Sequence, residues 1–181
     1  MLDNYKEILV EIQSVGRNTL GTAFYIGNNY FLSSYHCIRG QDSNLVVFFS
    51  ETKEAIRVSV IQWDESSDIV LLQAYGNVGS DRHPLTFVGV EELYPGCEFW
   101  LTGFGDRENY KAHVPAPAHG LILNTINNES ELDLEGSGLY VGMSGAPLIV
   151  GEWDNPMVAG MLKLISIEEN GFISQTNGAN R

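Results

Sequence analysis

Three short segments carry side chains that could do chemistry together. His36 precedes a cysteine, Asp68 precedes four apolar residues, and Ser144 lies in the glycine-containing run GMSGAP at 142–147. A serine hydroxyl becomes a useful nucleophile when an imidazole accepts its proton, and a carboxylate fixes the tautomer of that imidazole. The segments therefore predict nucleophilic catalysis in which Ser144 attacks, His36 is the base and Asp68 orients the base.

The order of these groups along the chain separates the known hydrolase folds. Chymotrypsin-like barrels run His, Asp, Ser, as this chain does, whereas α/β-hydrolases run Ser, Asp, His. The α/β-hydrolase elbow also requires a glycine two residues after the serine, and Ala146 occupies that position. The order favours the chymotrypsin-like arrangement.

Sequence motifs surround the three groups: GTAFYI at 21–26, YFLSSYHC at 30–37, DIVLL at 68–72, GMSGAPL at 142–148 and VAGM at 158–161. They are similar to the GTGFxI, xLTAxHC, DxALL, GxSGGPL and VxGI segments of trypsin-like serine peptidases, particularly the bacterial Deg/HtrA-type branch. The resemblance covers most of the 181 residues. It implies an all-β fold of two six-stranded antiparallel β-barrels of chymotrypsin type, with the active site between them.

Short β-rich runs alternate with turn residues along the first half, which is typical of a small barrel. Residues 27–29, Gly-Asn-Asn, predict a tight hairpin turn because these residues tolerate positive φ. The predicted strands of this half are 7–13, 20–26, 30–34, 44–49, 55–63 and 68–74.

The second half repeats this pattern with longer loops. Its predicted strands are 85–88, 98–103, 120–126, 131–134, 146–150, 157–165 and 171–175. A polar segment at 76–84 predicts the linker between the barrels. We interpret 1–181 as one peptidase domain, with His36 and Asp68 in an N-terminal barrel at 1–76 and Ser144 in a C-terminal barrel at 84–176. The polar end of the chain suggests a domain cut from a longer protein.

Other acidic residues and histidines compete for the catalytic roles. Asp64 and Glu65 belong to a polar turn, whereas the apolar run after Asp68 would hold that carboxylate at the barrel interface. The remaining histidines lack such context, and their spacing fits no metal-ligand motif. We predict that they lie in surface loops; they are His83, His113 and His119.

The family resemblance also implies an oxyanion hole and a specificity pocket. The oxyanion donors would be the N–H groups of Gly142 and Ser144. Gly138 would lie at the base of the pocket, with Lys163 and Ile165 along its wall. Since Gly138 offers no carboxylate, we expect small or apolar P1 residues. No cofactor and no metal are expected.

Composition limits the partners. Lys and Arg number 10 against 23 acidic residues, for a net charge of −13, which disfavours nucleic acid as a partner. No apolar run approaches the roughly 20 residues of a membrane span, and the N-terminus lacks a signal-peptide pattern. Cys37 and Cys97 fall in different halves, so we expect free thiols and a cytoplasmic location.

The function predicted from these features is that of an intracellular serine endopeptidase cleaving protein or peptide substrates through an acyl-enzyme. Bacterial peptidases of this type are often fused to sensor modules, so we expect control by a regulatory partner or a fused domain. Two alternatives stay open. One is a catalytically silent pseudo-protease that binds peptides, and the other is an esterase using the same machinery.

Overall fold

A computed structural model describes residues 5, 7–14, 19–41, 44–79, 81–104, 115–126, 131–139, 142–152, 154–163 and 176–177. The first half forms a closed six-stranded antiparallel barrel with the strand order β1-β2-β3-β6-β5-β4. Its strands are β1 (Leu9–Ser14), β2 (Thr19–Gly27), β3 (Tyr30–Ser34), β4 (Leu45–Phe49), β5 (Glu54–Asp64) and β6 (Ile69–Ala74).

Alternation of side chains explains why these segments close around a core. In β4, residues Leu45, Val47 and Phe49 are buried, while the two residues between them are half-buried. Successive side chains of a strand point to opposite faces, so one face of each strand fills the barrel. The turn between β2 and β3 has positive φ at Gly27, Asn28 and Asn29, as predicted.

The second half forms a seven-stranded sheet with the order β11-β8-β9-β10-β13-β12-β7. Because β11 also pairs with β12, six of these strands form a closed ring, and β7 adds to β12 as a parallel strand outside that ring. The strands are β7 (Thr86–Phe87), β8 (Glu98–Gly103), β9 (Ala116–Ile126), β10 (Glu131–Ser137), β11 (Pro147–Glu152), β12 (Asn155–Met161) and β13 (Thr176–Asn177).

The predicted all-β fold is confirmed, and the strand limits differ mainly in the second half. Strand β9 begins at Ala116, four residues before the predicted start, because pairing with β8 extends to Gly103 opposite Ala116. The segment before Gly120 lacks an alternating pattern, so only its neighbour strand reveals it. The predicted strand 171–175 lies outside the described residues.

The two halves share a packed interface. The hydrophobic cluster centred on the first barrel also includes Ile149, Val158 and Met161 of the second. A buried hydrogen bond of 2.7 Å joins the hydroxyls of Tyr5 and Thr102 across the same interface. Among the described residues, no helix has the length and apolar character needed to cross a membrane.

Candidate active site

His36 and Asp68 are joined by two hydrogen bonds. The backbone N–H of His36 donates to Asp68 Oδ1 at 2.8 Å, and His36 Nδ1 lies 2.6 Å from Asp68 Oδ2. An ionised carboxylate can only accept, so this contact assigns the ring proton to Nδ1. Nε2 is then left with its lone pair, which is the form that a general base requires.

The backbone of Asp68 also contributes to this arrangement. Its φ is +57°, in the left-handed region that aspartate tolerates better than most residues. Its carbonyl accepts a 3.0 Å hydrogen bond from the N–H of Tyr35, which begins the short 3₁₀ turn Tyr35–Cys37. Asp68 therefore holds both the imidazole and the turn that carries it.

The competing carboxylates have other partners. Asp64 ends β5, and its carboxylate accepts hydrogen bonds from the N–H and hydroxyl groups of Ser66 and Ser67. These bonds lower the pKa of Asp64 to about 2. Glu65 pairs with Arg39 at 2.5 Å on the exposed surface. Neither carboxylate contacts His36.

Ser144 lies in the turn before β11 and is buried, with 7% of its surface exposed. Its carbonyl oxygen accepts the N–H of Thr22 at 2.9 Å and the thiol of Cys37 at 3.6 Å. Both donors belong to the first barrel. The serine of the second half is thus held by backbone and thiol groups of the first.

Two glycines flanking Ser144 have positive φ, +95° at Gly142 and +87° at Gly145. A Cβ at Gly145 would come within 2.0 Å of the carbonyl oxygen of Thr22, so the close approach of the two barrels requires glycine there. Among the described residues, the N–H groups of Gly142 and Ser144 donate to no backbone carbonyl.

Cys37 lies between the histidine and the serine. Its sulfur is 3.7 Å from His36 Nε2 and 3.6 Å from the carbonyl oxygen of Ser144. Within the described part of the chain, Ser144 Oγ makes no hydrogen bond to His36. Burial, and then the negative charge of Asp68, raise the pKa of Cys37 to about 12, so this group remains a thiol at neutral pH.

Two of the three residues predicted to form the specificity pocket lie among the described residues. Gly138 has a φ of +80° and lies against the backbone of Pro117. Lys163 Nζ donates to the carbonyl oxygen of Ser66 at 3.4 Å, so this side chain reaches the β5–β6 turn. Ile165 lies outside the described residues.

The other histidines require one correction. His119 is exposed, as predicted, but it lies in strand β9 and not in a loop, because β8 and β10 pair with β9 on both sides of it. His83 is exposed outside any strand, and His113 falls beyond the described residues. No group of three or more potential metal ligands occurs in the described ranges.

Sequence reasoning did not identify the residues that brace the junction. The hydroxyl of Ser33 donates to the carbonyl of Thr22 at 2.6 Å, and that of Ser34 donates to the carbonyl of Leu162 at 3.0 Å. The Thr22 hydroxyl accepts the N–H of Phe104 at 2.8 Å. In the sequence, the two adjacent serines at the end of β3 were a weak signal of these contacts.

Known proteins resemble this chain in family motif and in fold. A family model described as a trypsin-like peptidase domain matches residues 21–158. No curated protein sequence is significantly similar to the chain. Among solved structures, the HtrA-type protease AlgW with a decapeptide superposes with a TM-score of 0.76 at 13% identity, covering 98% of this chain.

This chain spans only 62% of the AlgW chain. The inactive form of the Rv3671c protease gives a TM-score of 0.68 at 19% identity, covering 95% of this chain and 84% of its own. A Ser-to-Ala mutant of Rv3671c from M. tuberculosis H37Rv, also in an inactive form, gives a TM-score of 0.68 at 18% sequence identity. That match covers 97% of this chain and 86% of the Rv3671c chain. These similarities establish the two-barrel fold, and they include the HtrA type named from the sequence.

Proposed function

We propose that this chain, which belongs to the trypsin-like peptidase family, is a serine endopeptidase acting through His36, Asp68 and Ser144. The observation that carries the proposal is the double hydrogen bond between Asp68 and His36. An aspartate that binds both the ring and the backbone of a histidine fixes the position and the tautomer of the imidazole together.

In the proposed reaction, His36 Nε2 removes the hydroxyl proton of Ser144 as Oγ attacks the carbonyl carbon of the peptide bond. The carbonyl oxygen of the peptide bond becomes negatively charged and accepts hydrogen bonds from the N–H groups of Gly142 and Ser144. The imidazolium then protonates the leaving amine, which leaves an acyl-enzyme. Water, deprotonated by the same nitrogen, releases the acid and regenerates the serine.

The nucleophile in this proposal is the serine and not the nearby cysteine. A thiolate is the reactive form of cysteine, and the raised pKa of Cys37 suppresses that form. Its contact with the carbonyl of Ser144 gives this thiol a supporting role beneath the turn.

For substrate and setting we propose a polypeptide substrate and cytoplasmic action. The AlgW structure contains a decapeptide, which supports a peptide ligand for a chain of this fold. We expect small or apolar P1 residues, because Gly138 offers no carboxylate to a basic side chain. Free Cys37 and Cys97 support a reducing compartment, and a partner or fused domain would control the activity.

One observation favours a second candidate, a silent scaffold that binds peptides. Ser144 Oγ makes no hydrogen bond to His36 among the described residues, although catalytic hydrogen bonds often tighten only when substrate binds. The two candidates differ in the reactivity of Ser144.

A fluorophosphonate probe separates them. The parent chain should form a covalent adduct at Ser144, mapped by mass spectrometry, and Ser144→Ala should form none. Cys37→Ala is the matched control and should still be labelled. A folded parent chain that neither reacts with saturating probe nor cleaves an unfolded protein substrate, even with its neighbouring domains restored, would establish the scaffold.

A further inference from the structure

A cleft of about 570 Å³ opens on the second barrel beside strands β8, β11 and β12. Within the described residues, β8 and β11 pair only at Trp100 and Ile149, whereas β11 pairs with β12 along its whole length. We call this cleft the β8–β11 groove. The groove lies next to the point where the closed ring of six strands is joined by the single residue pair Trp100 and Ile149.

The floor of the β8–β11 groove is apolar. Val150 is buried, Leu93, Trp100 and Met157 are half-buried, and Tyr94 is 64% exposed at its edge. A concave surface of this composition gains free energy by covering apolar and aromatic groups, and it suits one or two apolar side chains of a ligand.

The rim of the groove is acidic. Glu92, Glu98 and Glu152 line it, and all three are exposed. Residues 83–104 contain three glutamates and no lysine or arginine, and residues 147–162 likewise contain no lysine or arginine. The rim therefore attracts cationic side chains, and among the described residues β8, β11 and β12 contribute no lysine or arginine that would neutralise it.

The groove is separate from the proposed catalytic centre. Glu152 lies five residues along β11 from Pro147, which corresponds to about 17 Å in an extended strand. Neither His36, Asp68 nor Ser144 lines it. Its role is therefore not part of the peptide-bond chemistry described above.

We propose that the β8–β11 groove binds an extended polypeptide segment that carries apolar side chains between lysines or arginines. The apolar side chains cover the exposed parts of Trp100 and Met157, and the cationic groups pair with the rim glutamates. Charge disfavours a second copy of this chain as the occupant, because two molecules of net charge −13 would bring acidic rims together. The proposal is independent of the proposed peptidase activity.

The test uses the full chain carrying Ser144→Ala, so that no peptide is cleaved, and a synthetic peptide, acetyl-GKLKLKG-amide. Isothermal titration calorimetry should give about tenfold weaker binding for Glu92→Gln/Glu98→Gln/Glu152→Gln, since each exposed ion pair contributes modestly. The matched triple variant Glu7→Gln/Glu51→Gln/Glu135→Gln loses the same charge elsewhere and should bind within about twofold of the parent.

Two further measurements locate the peptide. Cys97 lines the groove and is half-buried, whereas Cys37 is buried, so iodoacetamide should modify Cys97 first and saturating peptide should slow that reaction. Tyr94→Ala changes an exposed residue and should weaken binding without lowering the melting temperature. A peptide with serine in place of leucine should bind weakly.

Several results would overturn the proposal. They are equal weakening in both triple variants, an unchanged rate of Cys97 alkylation under saturating peptide, and equal binding of the serine peptide. A dimer of the parent chain that the groove variants dissociate would also overturn it, because the occupant would then be a second copy. None of these outcomes bears on the proposed peptidase activity, because that activity is tested separately by fluorophosphonate labelling of the chain that retains Ser144.

Discussion

The two barrels hold their parts of the proposed site by different means. In the first barrel, side-chain bonds place the chemical groups: Asp68 binds the ring and the backbone of His36. In the second, backbone conformation places them: Gly142 and Gly145 have positive φ, and the Ser144 carbonyl is held by donors of the first barrel. A substitution should therefore act through hydrogen bonding in the first barrel and through backbone strain in the second.

The largest expected effect tests whether both barrels serve one reaction. Ser144→Ala, His36→Ala and the double variant should each lower kcat by about 10⁶, because groups that act as a unit fail together. The measurement is cleavage of a protein substrate under conditions where the parent is active. His83→Ala and His119→Ala are the controls and should retain activity. Parental turnover by Ser144→Ala would refute the proposed reaction.

The next effect isolates the first barrel. Asp68→Asn should lower kcat by about 10⁴, because the amide donates where the carboxylate accepts and favours the wrong imidazole tautomer. Asp64→Asn is the matched control four residues away, and it should leave kcat nearly unchanged since Asp64 binds only its own turn. Equal losses in the two variants would show that the turn matters and the Asp68 contact does not.

A smaller effect tests the backbone of the second barrel. Gly145→Ala should reduce kcat by about 10²-fold, because its Cβ would collide with the Thr22 carbonyl and shift Ser144. Gly40→Ala is the matched control: its φ is +78° and no atom lies within 4 Å of the added Cβ, so only conformational strain remains. That strain is about 1 kcal/mol, seen as a lower melting temperature with normal activity. Equal kcat in Gly145→Ala and Gly40→Ala would show that the close approach of Gly145 to the Thr22 carbonyl does not position Ser144.

The smallest effect concerns Asp64 and pH. Its pKa in the folded chain is about 2, below the ordinary 3.8, so its hydrogen bonds stabilise the fold above pH 4 and are lost as the pH falls towards 2. The melting temperature of Asp64→Asn should therefore lie below that of the parent at pH 7, and the gap should close between pH 4 and 2. Ser66→Ala removes one hydroxyl that donates to Asp64, so its melting temperature should lie below that of the parent by part of the same difference. A gap that is constant with pH would contradict this assignment.

Much of the first barrel was predictable because local patterns specify it. Alternation in β4 and the Gly-Asn-Asn turn after β2 follow from neighbouring residues alone. The early start of β9 was not predictable, since residues 116–119 become a strand through pairing with β8 along their length and with β10 at His119. The direction of Lys163 was likewise open, because its partner, the carbonyl of Ser66, belongs to the other barrel.

The sequence by itself determined the all-β class, the trypsin-like family and the residues proposed for catalysis, because these depend on residue type, order and short-range spacing. Tertiary structure alone decided that Thr22, Ser34 and Cys37 brace the serine turn and its neighbour Leu162. It also decided that a groove opens beside β8 and β11. The bracing contacts join residues more than one hundred positions apart, and no local pattern specifies which distant backbone groups will meet.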